Sequence, residues 1–178
     1  TTLTVTPRPN TITPTIQSKT YGDFKNLGTT AFTINDSVTG GSTSITAGAA
    51  IVNGDKFSSA TLSSNGTGAA ANAGSYGITA NNAIFSAGSA SNYAITYATA
   101  TGGLTVNPLG ITVTAKDASK TYGDDLTSTM GSGKTAFTVK VTDATSSYQN
   151  AVYLPYSYSI DSVTLTSLGA ASTAHRAV

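Results

Sequence analysis

The chain has 178 residues, a formal net charge of +1 and only 10% charged residues, against a usual share of ~25%. Its acidic residues are all Asp, it has two Arg, one His and no Cys or Trp. The weak positive charge argues against nucleic-acid binding, the lack of Cys excludes disulfides and thiolate metal sites, and no apolar run reaches the ~20 residues of a membrane helix. The strong helix formers Glu, Lys, Leu and Arg are scarce or missing while Thr and Ser abound, so we expect an all-β fold.

An internal repeat begins in the first residues of the chain. Residues 3–7, Leu-Thr-Val-Thr-Pro, recur as Leu-Thr-Val-Asn-Pro at 104–108, an offset of 101. The hexapeptide Ser-Lys-Thr-Tyr-Gly-Asp at 18–23 recurs at 119–124 with the same offset, and Thr-Ala-Phe-Thr at 30–33 recurs at 135–138 with an offset of 105. Colinear matches of this kind indicate tandem modules.

The repeat also predicts where each module begins and ends. Residues 1–9 are interpreted as the closing strand of a preceding repeat, residues 10–109 as one complete repeat and residues 110–178 as part of the next. The joint between the repeats is the short segment 107–110, in which Pro108 fixes its own φ and donates no hydrogen bond. We therefore expect an elongated, semi-rigid rod.

Within each predicted module the local pattern is that of β-strands. Apolar and polar residues alternate over 93–97, 111–115, 137–141 and 152–158, and alternation buries one face of a strand. The Gly-, Ala- and Asn-rich segment 66–74 is predicted to be a loop. Short strands separated by such turns are typical of a sandwich or a small barrel, and we expect β-sandwich-like, Ig-like modules.

The repeated hexapeptide is interpreted as a structural motif. Its tyrosine is expected in the core or at the domain joint with its hydroxyl bonded to backbone, and the glycine after it is expected to form a turn. An alternative is an isopeptide bond from Lys19 or Lys120 to an Asn. The motif residues are Tyr21, Gly22 and Asp23 in the first copy and Tyr122, Gly123 and Asp124 in the second.

The sequence contains few candidate catalytic residues. Residues 131–135, Gly-Ser-Gly-Lys-Thr, look like the end of a phosphate-binding loop, but Ser128 stands where that loop needs Gly, and a strand pattern follows where it needs a helix. His175 is the sole candidate base, and the adjacent Asp124 and Asp125 would point to opposite faces of a strand. We expect no enzyme, no cofactor and no catalytic metal, although Asp and Asn oxygens in loops leave a structural Ca²⁺ open.

A tyrosine-rich stretch in the second module is the candidate ligand-binding segment. Exposed tyrosines are common contact residues in recognition surfaces and can stack on sugars. A buried core strand is the competing interpretation, since Val152 and Leu154 share the stretch. The tyrosines concerned are Tyr148, Tyr153, Tyr156 and Tyr158.

Several segments together resemble the MBG-type (mostly-β, glycine-rich) repeats of filamentous-haemagglutinin-like bacterial surface adhesins. They are residues 102–108, 111–115 and 119–123, with 53–55, 74–76, 92–97 and 162–167. The resemblance implies a secreted or outer-membrane-anchored protein of Gram-negative type, whose repeats space or display adhesive regions and carry no catalytic residues.

Three functions follow as expectations. The first is a stalk segment of an adhesin, whose partners are neighbouring repeats of the same protein. The second is direct binding of a surface glycan or protein through the tyrosine-rich stretch. The third is self-association, in which the spare strand at residues 2–6 pairs with an unpaired strand of another chain.

Overall fold

The fold was analysed in a computed structural model, which describes residues 1–38, 41–126, 136–143, 146, 154–155, 160, 163–168, 170–171 and 173–174. These residues form an all-β protein with several sheets. The chain divides into two compact units, Thr1–Pro108 and Leu109–Val178. Over the same residues, no helix has the length and apolar character needed to cross a membrane.

Ten strands and one 3₁₀ turn, Ala90–Asn92, are seen in the described part of the chain. The strands are β1 (Arg8–Pro14), β2 (Gln17–Thr20), β3 (Phe32–Val38), β4 (Gly41–Thr46), β5 (Lys56–Ser63), β6 (Gly74–Ala87), β7 (Tyr93–Tyr97), β8 (Ala100–Asn107), β9 (Ile111–Ala115) and β10 (Phe137–Val141).

The first unit contains two four-stranded mixed sheets. One has the order β4-β3-β1-β7 and the other the order β2-β8-β6-β5. The pairs β1/β7 and β2/β8 are parallel, and the other pairs are antiparallel. Residues 15–16 connect β1 of the first sheet to β2 of the second, and residues 98–99 connect β7 to β8 in the same way. β1 therefore lies beside β7 in the first sheet, and β2 lies beside β8 in the second.

The two sheets bury a common apolar core. Ile12, Phe32 and Ile34 of the first sheet pack in one cluster with Phe57 and Ala80 of the second. A smaller cluster joins Leu27, Ile78 and Leu104. Each fully buried side chain of this size contributes about 1.5–3 kcal/mol to folding, so face-to-face packing of the sheets is a main source of stability in this unit.

The second unit repeats one pairing of the first in the same register. In the first unit Pro14 lies opposite Phe32, and in the second Ala115 lies opposite Phe137. These positions differ by 101 on one strand and by 105 on the other, the two offsets of the sequence repeat. Phe32 and Phe137 are both buried. The β9/β10 pair is therefore the structural counterpart of the β1/β3 pair.

Several local predictions are confirmed. Residues 93–97, 111–115 and 137–141 are strands, residues 66–73 lie outside any strand, and β8 and β9 are separated only by residues 108–110. Residues 1–7 form no strand, and β1 begins at Arg8, within the segment assigned to a preceding repeat. Most of the segment 152–158 falls outside the described residues, and the division into repeats with the phase given above remains a prediction.

Polar residues of β1 and β3 have apolar counterparts in the second unit. Asn10 and Asp36 are buried opposite each other, and the equivalent pair in β9/β10 is Ile111 and Val141. Neither polar atom of the Asn10 amide has a hydrogen-bond partner among the described residues. Burying an amide without partners costs free energy, so this position is not optimised for stability.

Asn10→Ile, which installs the residue of the second unit, is expected to raise the free energy of unfolding of the first unit by about 1–3 kcal/mol. Native-state hydrogen exchange of the β1 and β3 amides measures this unit separately from the second. The control Asn81→Ile, at an exposed position of β6, should change the value by less than about 0.5 kcal/mol. A loss of stability in Asn10→Ile would contradict the prediction.

Candidate functional site

The repeated hexapeptide forms a lysine-bonded turn in the first unit. β2 ends at Thr20, the chain reverses through Gly22 with φ +96°, and the Asp23 amide donates to the Thr20 carbonyl at 3.2 Å. The buried Lys19 ammonium donates to the carbonyls of Asp23 at 2.9 Å and Gly68 at 2.5 Å. The lysine therefore ties the turn to a loop 49 residues further along the chain.

The second unit contains the same turn with equivalent contacts. Gly123 also has φ +96°, and the Asp124 amide donates to the Thr121 carbonyl at 3.1 Å. Lys120 donates to the carbonyls of Asp124 at 2.9 Å and Ala170 at 3.2 Å, and also to that of Ala171. The predicted turn is confirmed in both copies, and its glycines take a left-handed φ that other residues adopt only with strain.

Burial sets the protonation chemistry of the lysine in the first unit. Desolvation lowers the pKa of Lys19 from its usual 10.5, and the nearby charge of Asp23 partly opposes this effect. The described contacts of the Lys19 and Lys120 ammonium groups are all with backbone carbonyls. This geometry fits a turn-stabilising role and does not favour the isopeptide alternative.

The tyrosines of the motif differ between the two units. Tyr21 is half-buried and its amide donates to the Asn107 carbonyl of β8, whereas the side chain of Tyr122 is 70% exposed. Tyr122 therefore does not lie in a core, and the alternative position at the domain joint stays a prediction. Tyr122 is exposed because no described strand lies along residues 118–121, whereas β8 covers the motif in the first unit.

A pocket of about 380 Å³ lies at one end of the first unit. It is lined by residues 5–8, by Val52, Asn53 and Asp55, and by residues 91–93. Its walls therefore come from the segment that leads into β1, from the turn before β5 and from the start of β7.

Backbone geometry positions the Asp55 carboxylate at this pocket. Asn53 and Gly54 both have positive φ, 53° and 84°, and the Asp55 amide donates to the Val52 carbonyl at 2.9 Å, as in a type I′ turn. A Cβ on Gly88 would lie 2.3 Å from the Asp55 carboxylate, so only glycine fits beside this side chain.

Tyr93 connects the pocket to the core. Its ring lies 5.1 Å from Phe85 and 6.0 Å from Phe57, measured between ring centroids, and its hydroxyl donates to Asp55 Oδ2 at 2.8 Å. Burial raises the pKa of Tyr93 to about 12, and the hydrogen bond to Asp55 and the carboxylate charge act in the same direction. The phenol therefore stays protonated and holds the carboxylate in place.

Arg8 forms a two-pronged ion pair with Asp36. Arg8 Nε lies 2.9 Å from Asp36 Oδ1, and Arg8 Nη2 lies 2.6 Å from Asp36 Oδ2. The hydrogen bonds to Asp36 raise the pKa of the guanidinium. The arginine thus enters the pocket as a paired cation oriented by β3.

The pocket presents hydrogen-bonding groups to solvent. Asp55, the amides of Asn53 and Asn92 and the hydroxyl of Ser91 can bond a polar ligand. The lining contains one carboxylate, whereas glycoside hydrolysis uses a pair and Ca²⁺ takes six to eight oxygens. The described residues contain no cluster of three or more Asp, Glu, His or Cys that could hold a metal.

The candidate ligand tyrosines and base fall outside the part of the chain that the structure describes. Tyr148, Tyr153, Tyr156, Tyr158 and His175 are in this group, as is the segment 131–135. The strand β10 follows that segment, so the helix that a phosphate-binding loop requires is not there.

Sequence reasoning did not identify the pocket. The Asn-Gly pair at 53–54 is the signal that could have placed Asp55 after a tight turn, but nothing local marks the Arg8–Asp36 pair, whose members are 28 residues apart. No family model, curated protein or solved structure matches this chain.

Lys19→Met keeps the aliphatic length of the side chain but removes its donors, leaving the Gly68 and Asp23 carbonyls short of a partner. We expect the first unit to lose about 2–3 kcal/mol of stability, since bonds to charged groups are stronger than average. Hydrogen exchange of β2 and β8 would report the loss, and Lys120→Met should act on the second unit instead. The exposed Lys56→Met is the control, and equal stability of Lys19→Met and Lys56→Met would contradict the assigned role.

Tyr93 is expected to ionise at about pH 12, above the ordinary tyrosine value of 10.0. Because the folded-state pKa is raised, its contribution to stability is complete below pH 10 and is lost as the pH rises toward 12. Subtracting the phenolate absorbance titration of Tyr93→Phe from that of the unsubstituted chain isolates this group. Asp55→Asn should lower the midpoint, and a difference curve centred near pH 10 would show that the hydroxyl is neither buried nor bonded.

Proposed function

We propose that this chain is a structural segment of a secreted or cell-surface bacterial adhesin, built from serial β-sandwich-like modules that space or display adhesive regions. The observation that carries the proposal is the repeated lysine-bonded turn. Two chain segments 101 residues apart share a glycine φ, a backbone hydrogen bond and a lysine bonded to carbonyls. This correspondence supports the interpretation that the two segments belong to two copies of one module.

The shared strand register supports the same proposal. β1/β3 and β9/β10 pair at equivalent positions despite the four-residue difference in offset, so the extra residues are accommodated between the strands. A one-residue slip would move every side chain of a strand to the opposite face, so equal register means that equivalent residues lie on the same face of the strand pair.

The joint between the units suits a spacer. β8 ends at Asn107 and β9 begins at Ile111, and the Pro108 between them restricts the backbone. A segment this short permits far less relative motion than a Gly/Ser tether of ordinary length. The low charge and high Thr and Ser content support an extracellular location, and the binding alternative stays a prediction because its four tyrosines lie outside the described residues.

Small-angle X-ray scattering tests the spacer role. A single compact particle of this length has a radius of gyration of about 16 Å, whereas two modules in series should exceed about 20 Å. We expect the larger value in dilute solution. A value near 16 Å from a monomer would contradict the proposal.

Pro108→Gly is the matched variant for this experiment. The substitution keeps the length of the joint and removes its main restriction. The distribution of interatomic distances obtained from scattering should therefore broaden while both units stay folded. An unchanged distribution would mean that Pro108 does not stiffen the joint.

A further inference from the structure

The pocket at one end of the first unit contains a fixed acceptor with a free oxygen. Tyr93 donates to Asp55 Oδ2 at 2.8 Å, and this carboxylate accepts no other hydrogen bond from the residues that the structure describes. The lone pairs of Asp55 Oδ1 are therefore available to a ligand. The tight turn at 53–54 precedes the carboxylate and Gly88 lies against it. An acceptor held in this way loses little conformational entropy when a ligand binds.

The same pocket contains a donor edge that its ion pair leaves free. Arg8 uses Nε and Nη2 to bond the two carboxylate oxygens of Asp36, at 2.9 and 2.6 Å. Within the described part of the chain, the N–H groups of Arg8 Nη1 have no partner. The two-pronged ion pair fixes the plane of the guanidinium and thereby the direction of these donors. A donor-only group and an acceptor-only group thus line one cavity.

The charges of these groups restrict what the pocket can bind. Asp36 neutralises Arg8, so Asp55 leaves the three side chains with one net negative charge. An anion would be repelled by Asp55, and an ammonium ion has no acceptor to offer Arg8. A hydroxyl group carries no charge, and it can donate to the carboxylate or accept from the guanidinium. Two neighbouring hydroxyls, as on a sugar ring, fit both groups at once.

The size and the rim of the pocket suit a sugar ring. Its volume of about 380 Å³ equals that of about a dozen water molecules at ~30 Å³ each, which leaves room for such a ring. Asn53, Ser91 and Asn92 are exposed at the pocket and can bond further hydroxyls. Ser91 Oγ lies 2.9 Å from Ser89 Oγ, and the Asn92 backbone amide donates to the Ser89 carbonyl at 3.1 Å. The turn that carries these two groups is therefore held by its own hydrogen bonds.

Strand pairing does not account for the ion pair at the pocket. In the β9/β10 pair Val141 stands where β3 has Asp36, and Leu109 follows Arg8 by the repeat offset of 101. The same pairing therefore forms without an ion pair at this position. Buried ion pairs also often add no net stability over apolar residues. A role in the pocket explains why the first unit has this pair.

We propose that this pocket binds a neutral saccharide through two neighbouring hydroxyl groups. One hydroxyl donates to Asp55 Oδ1, and the next accepts from Arg8 Nη1. Tyr93 is a positioning residue, since its hydroxyl holds Asp55 Oδ2 and leaves Oδ1 to the ligand. Sugar binding at this site is independent of the spacer role proposed above, because it uses the first unit alone.

Amide chemical shifts of the whole chain, measured by NMR, test the site. D-glucose, D-galactose, D-mannose and L-fucose are titrated separately. At least one sugar should shift the amides of Asn53, Gly54 and Asn92 saturably, with a dissociation constant in the millimolar range, because few contacts offset the cost of association. The core amides of Ile12 and Ile34 should stay in place. Absence of saturable shifts at the pocket with all four sugars would overturn the proposal.

Two conservative variants test the assigned contacts. Arg8→Lys keeps a cation beside Asp36 but removes Nη1, and Asp55→Asn keeps an oxygen for the Tyr93 hydroxyl but removes the charge. Each should weaken sugar binding about tenfold or more, since hydrogen bonds to charged groups are stronger than average. The control Asp117→Asn changes an exposed carboxylate of the second unit and should bind as the unsubstituted chain does. Equal affinity in all three variants contradicts the proposed contacts.

Charged probes distinguish a sugar site from other kinds of site. Acetate and methylammonium should leave the pocket amides in place. Saturable shifts with glycine but with none of the sugars would mean that the pocket takes a zwitterion, and the saccharide assignment would be wrong. The radius of gyration tests the spacer role separately, so failure of sugar binding leaves that role standing, and a compact particle leaves the sugar site standing.

Discussion

The antiparallel pairing of β1 with β3 is the interaction on which the first unit depends. Its register directs Ile12, Phe32 and Ile34 toward the other sheet, where Phe57 and Ala80 complete the core. The remaining strands extend this pair, since β4 adds to β3 and β7 adds to β1. Because side chains alternate with a period of two, this one register decides which residues of β1 and β3 face the core. The recurrence of that register in β9/β10 gives the sequence repeat a physical meaning.

The lysine turn supplies hydrogen-bond donors to loop carbonyls that strand pairing leaves without a partner. Loops carry backbone carbonyls that need donors, and a sheet supplies none to a loop that packs beside its edge. One ammonium group with three donors can bond two or three carbonyls from segments distant in sequence. The cost is desolvation of a cation, visible as the lowered pKa of Lys19, and the short contacts offset it.

The parts of the fold that sequence could predict are those with a local cause. Alternation identified β7, β9 and β10, and the Tyr-Gly pair identified the turns at Gly22 and Gly123. The pocket was missed because its polar groups come from β1, the 52–55 turn, the Ala90–Asn92 turn and β7, which only tertiary pairing brings together. The exposure of Tyr122 was missed for a related reason, since a residue is covered by a neighbouring strand and not by its own motif.

The polar residues of β1 and β3 show that the strand pairing allows buried polar side chains but does not require them. β9 and β10 keep the pairing with Ile111 and Val141 where the first unit has Asn10 and Asp36, so the pairing itself does not require a buried amide or carboxylate. Replacing buried ion pairs by apolar residues is often neutral or stabilising. The Arg8–Asp36 pair therefore has its effect at the pocket, where it fixes a cation beside Asp55 and Tyr93.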